Sequence, residues 1–181
     1  MKLLAGIYSR ERLFSFVIGP IDGILTALTF AAGRIVTAAQ PIEIWLAIRI
    51  ALAASLSGGF VFFVAEYARL RGELVHAGQH LNLPSARQLE TSRLGGEIIR
   101  EAFYGTIIAT AGGFSGAMLP LALGAIFTTV SWMAIAVAVA VLAFLGVLVS
   151  RAVMGNPVYW AFVLMMMGVL FSIVGVLLNV A

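Results

Sequence analysis

Residues 13–33 read LFSFVIGPIDGILTALTFAAG, an apolar run with one acidic residue, Asp22, near its middle. About 20 residues of helix rise about 30 Å, the thickness of a bilayer's hydrocarbon core, so the pattern places Asp22 near the midplane. A central Asp costs about 2.5–3.5 kcal/mol on insertion, and a carboxylate kept at that depth faces a bundle interior, a water-filled path or an ion. Gly19, Pro20 and Gly23 bracket it, and a proline inside a helix frees one backbone carbonyl. Thr26 follows one turn on and Thr29 after it, toward the same face. The competing reading is a protonated Asp22 that hydrogen-bonds to a neighbouring helix and serves packing alone.

The whole chain supports a membrane setting. Of its 181 residues, 62% are hydrophobic and 10% charged, which the surface of a water-soluble domain of this length does not tolerate. The formal charge of +3 suits basic loops flanking membrane spans, so nucleic acid is not expected as a partner. With no cysteine there is neither a disulfide framework nor a thiolate metal site. The opening MKLLAGIYSRER has no small-residue cleavage site, and the first span is read as retained.

The expected fold is an all-α integral membrane protein of five transmembrane helices, with spans at about 13–33, 44–65, 102–127, 130–150 and 158–180. Short connections make neighbouring spans antiparallel hairpins. Residues 66–101 are expected to form a cytoplasmic two-helix segment between spans two and three, the first helix continuing out of the second span, with a break at Asn82-Leu83-Pro84 and Ser85 capping the second helix. Of the 11 basic residues, only Arg34 and Arg49 fall on the side opposite the N-terminus. That bias puts the N-terminus in the cytoplasm and the C-terminus outside, with Arg49 snorkelling or pairing with Glu43.

In the third span, Gly105, Ala109, Gly112, Gly113 and Gly116 form a small-residue run suited to close helix packing. Gly113-Phe114-Ser115-Gly116 matches the GxSG of intramembrane serine proteases. The match is rejected, because the only histidines, His76 and His80, lie outside the membrane and no base is available. Met165, Met166 and Met167 point in different directions around a helix and read as filler.

Glu66, Glu73, His76 and His80 fall on one helical stripe, a divalent-metal geometry in outline. On the second helix of the segment, Glu90, Glu97 and Glu101 repeat in the same way. A solvated charged face with interleaved arginines is the alternative.

These residues resemble a known family, the vacuolar iron transporters. Val17-Ile18-Gly19-Pro20-Ile21-Asp22-Gly23 with Ala31-Ala32-Gly33 is similar to that family's opening pattern. Ala65-Glu66-Tyr67 is similar to its Gly-Glu-Tyr, and Gly116-Ala117-Met118-Leu119-Pro120-Leu121 to its third-span motif. The resemblance implies a homodimer with a cation path between protomers along the first span, Asp22 in that path, and protons moving in the opposite direction. Two departures stand out: Phe62 replaces a methionine frequent in the family, and the cytoplasmic metal-binding domain is shortened.

The sequence therefore leads to a proton-coupled antiporter that exports a divalent transition metal, Fe2+ or Mn2+ and in extension Zn2+ or Co2+, across a prokaryotic cell membrane. The path would comprise Asp22, Gly19, Pro20, Gly23, Thr26 and Glu66, and the metal-binding set Asp22, Glu66, Glu73, His76, His80, Glu97 and Glu101. No permanently bound cofactor is expected. A non-transporting membrane scaffold or metal sensor of the same fold is the alternative, and an enzyme is not expected, since no nucleophile–base pair is found.

Overall fold

A computed structural model describes residues 2–37, 43–80, 93–126 and 132–178, with side chains over 16–33, 43–76, 95–126 and 132–178. The described chain consists of five α-helices: α1 (Lys2–Thr37), α2 (Ile44–His80), α3 (Arg93–Ile126), α4 (Trp132–Val153) and α5 (Pro157–Leu178). All five are long and apolar enough to cross a membrane, so the all-α, five-span expectation holds. Hydrocarbon offers no partner to an amide or carbonyl, and a helix satisfies both within one segment.

The stretch with Asp22 lies at the centre of the bundle. α1 touches each of the other four helices, most extensively α3, while α2 packs chiefly on α3 and α4 pairs with α5. Lipid is as apolar as leucine, so close van der Waals approach has to hold these helices together. Small residues provide it. A methyl group added at Gly19 or Gly23 would overlap the backbone carbonyl of Ala109 or Gly113 on α3. Gly112 and Gly116 receive Pro20, whose ring would lie 2.7 Å from a Cβ at Gly112. The small-residue run of the third span is thus a packing surface, as its composition suggests. Its partner is α1 of the same chain, so Gly19 and Gly23 face inward rather than toward a second copy.

Two apolar clusters flank this seam. Val17, Ile24 and Leu28 of α1 are buried with Ala138, Leu142, Leu145 and Val149 of α4. Ala27 and Ala31 meet Ala47 and Ala51 of α2 and Ala117 and Leu121 of α3. α4 ends where the Gly155 amide donates to the Ser150 carbonyl at 2.9 Å, with Met154 held at φ 53° in the left-handed region. α5 begins directly afterwards. Asn156 caps it, its Oδ1 accepting from the Val158 amide at 3.0 Å, and Pro157 fills the first helical position.

The inter-helix contacts also fix the levels of the helices relative to one another. Counting back along parallel helices from the Gly23–Gly113 and Thr29–Gly175 contacts sets Tyr104 and Tyr159 level with Phe14 and Leu13. Tyr67 reaches the same level through the Asp22–Gly58 contact. Trp45 and Trp132 stand exposed at the far end. From Trp45 to Tyr67 is about 33 Å of helix, so the two aromatic levels frame one hydrocarbon thickness.

One element differs from the expectation. Residues 66–80 continue α2 as expected, but 93–101 are the first turns of α3, so no separate two-helix segment is seen among the described residues. The described parts of the two-helix segment are therefore overhangs of two spans. Asn82, Leu83, Pro84, Ser85 and Glu90 lie outside the described residues. The reason for the continuity is local. Arg69 pairs with Glu66 at three residues and Glu73 at four, which supports a helix in water.

Candidate functional site

The face of α1 that carries Ile18, Gly19, Asp22 and Thr26 lines a cleft of about 450 Å³. Its opposite wall is α2, with Ser55, Ser57, Gly58 and Phe62 among the lining residues, and Ala109 and Gly113 of α3 close the back. The spacing of four along α1 puts these residues on one stripe, directed at α2 where the two helices meet lightly.

Asp22 is solvent-accessible at this cleft, and one carboxylate oxygen lies against Gly58 in the space a side chain would otherwise fill. Among the described residues the carboxylate has no hydrogen-bond or ion-pair partner. That bears on the packing reading, which requires a neighbouring helix to satisfy the group. The hydroxyls divide into two kinds. Ser55 Oγ donates to Leu52 O at 3.1 Å and Thr29 Oγ1 to Leu25 O at 3.0 Å, so both are engaged by their own helices. Thr26 and Ser57 have no partner among the described residues, and both line the cleft.

The other path residues are placed differently. Gly19 lines the cleft, whereas Gly23 and Pro20 pack against α3. Glu66 follows Ala65, the last lining residue of α2, and turns to Arg69: Nε donates to Oε2 at 3.0 Å and Nη2 to Oε1 at 2.8 Å. Arg69 Nη1 donates to Glu73 Oε1 at 2.6 Å, so one guanidinium bridges both carboxylates of the stripe. His76 is exposed further along α2; the side chain of His80 lies outside the described residues. Glu97 and Glu101 are exposed on α3. Among the described residues, no three carboxylates or imidazoles converge on a common point.

Ser115 is exposed on α3 and donates to Gly112 O at 2.9 Å. Arg49 is exposed and forms no ion pair with Glu43. Sequence reading missed the α2 wall of the cleft. The signal was the polar and small cluster Ser55-Leu56-Ser57-Gly58-Gly59 inside an apolar span, where only an interior or watered position accommodates two serines.

Comparison with known protein families, with characterised proteins and with solved structures yields no match to this chain.

Proposed function

We propose that this protein is a secondary transporter that exchanges a divalent transition metal of the Fe2+ or Mn2+ type for protons, moving metal out of the cytoplasm. The observation that carries the reading is the unpartnered Asp22 carboxylate at a cleft within the span region, beside the free hydroxyls of Thr26 and Ser57. A carboxylate at such depth is costly unless a cation, a proton or water compensates it. In this mechanism Asp22 holds either a proton or part of the metal's coordination, and the hydroxyls and retained waters supply neutral oxygens. Binding stays weak enough for release.

The motif resemblance to vacuolar iron transporters supports the same class and a homodimer. One carboxylate neutralises half of a divalent charge, and a second Asp22 across a two-fold axis supplies the rest. The basic residues Arg69, Arg71, Arg100 and Arg151 gather at one end of the bundle, which we assign to the cytoplasm.

Proteoliposomes loaded with a pH dye and offered Fe2+, Mn2+, Zn2+ or Co2+ test the reading. Wild-type protein should couple metal movement to proton countermovement. Asp22→Asn keeps shape and most hydrogen bonding but removes the charge, so flux should collapse while the protein still inserts. Wild-type flux in Asp22→Asn would overturn the mechanism. Absence of flux in the wild type, with metal bound, would favour a sensor or scaffold.

A further inference from the structure

We infer that the cleft selects hard, oxygen-seeking divalent cations, with Mn2+ as the reference and Mg2+ and Ca2+ as competitors, over thiophilic ions such as Cd2+. The inference rests on the transport reading and adds the cargo class. Its basis is what lines the cleft. The donors are the Asp22 carboxylate, the Thr26 and Ser57 hydroxyls, and backbone; the remainder is glycine, the engaged Ser55 and hydrocarbon such as Ile18, Val61 and Phe62.

Among the described residues that line the cleft, none carries a thioether, thiol or imidazole. The chain does not lack soft donors: it has 7 methionines and 2 histidines. Their placement decides the matter. Met165, Met166 and Met167 are on α5, Met118 packs beside the Ala117 cluster, and His76 is on the α2 overhang. Carboxylate, hydroxyl and water suit manganese, magnesium and calcium, whereas sulfur would be needed to reward a soft ion.

The size of the cleft agrees with this chemistry. At about 30 Å³ per water, its volume holds a cation together with several retained waters, the way hard ions that dehydrate reluctantly are carried. One charged ligand from each protomer leaves room for a cation to keep much of its shell.

The test uses the full-length protein in nanodiscs, with Mn2+ binding followed by electron paramagnetic resonance and displaced by Mg2+, Ca2+ or Cd2+. In the wild type Cd2+ should displace Mn2+ no better than Mn2+ itself, and Mg2+ and Ca2+ should compete. Ser57→Cys exchanges one lining hydroxyl for the chain's only thiol and should raise Cd2+ potency relative to Mn2+ by about tenfold or more. Ala54→Cys, also in the lining, takes its place if Ser57→Cys does not fold. Cd2+ preferred to Mn2+ by the wild type, or a Cd2+ potency unmoved by both cysteines, would overturn the inference while leaving an Asp22-dependent site intact. Mn2+ bound equally by Asp22→Asn would instead overturn the transport reading and the inference with it.

Discussion

The carboxylate of Asp22 on α1 occupies the space left by the missing side chain of Gly58 on α2. Any Cβ there would meet an Asp22 oxygen closer than real contacts allow, although its Cγ would stay 3.6 Å away. The carboxylate can swing aside, so Gly58→Ala should fold normally yet displace the group from its position. Metal flux should fall by about tenfold or more, equivalent to about 1.4 kcal/mol in the barrier. Thermal unfolding in detergent should hardly change; full flux in Gly58→Ala would show that the position of the carboxylate does not matter.

The seam between α1 and α3 predicts a contrast between two glycines. Gly23→Ala sets a methyl against the Gly113 backbone, which has no rotamer to escape into, and should cost about 1–3 kcal/mol. Gly72 on the α2 overhang has nothing within 4 Å of an added Cβ. Gly72→Ala should therefore stabilise the helix by about 0.5–1 kcal/mol. Melting curves of the two variants, measured side by side, check the pair.

Met154 holds a left-handed φ of 53° that a side chain disfavours. Met154→Gly should relieve about 1 kcal/mol, since the turn between α4 and α5 stays the same and the strain disappears. A lower melting temperature would mean that the methionine side chain contributes more by contact than its backbone costs.

Topology can be read with single cysteines, because the native chain contains none. His76→Cys should react with an impermeant maleimide only from the cytoplasmic face, and Glu43→Cys only from outside. The reverse pattern would invert the orientation and turn the proposed export into import.

How far the sequence predicts this architecture depends on the residue. Five apolar runs announce five spans, and an isolated Asp22 announces itself, because few chemistries keep a carboxylate among such neighbours. Small residues are less informative: Gly19 and Gly23 permit a close approach but do not say of what, and α3 rather than a second protomer takes it. The overhangs are obscured for a different reason. The charged stretch 66–101 reads as a unit of its own, while α2 and α3 run into its two ends without interruption, α2 with Arg69 paired to Glu66 and Glu73. The same guanidinium engages two of the carboxylates that their spacing offers to a metal.

Because α2 is unbroken from Ile44 to His80, the wall of the cleft and the overhang are parts of one stiff rod. From Gly58 to His80 is about 33 Å of helix, so a tilt of about 10° about Gly58 swings the far end by about 6 Å. Conversely, that end cannot shift by several ångströms without turning the helix that walls the cleft of Asp22.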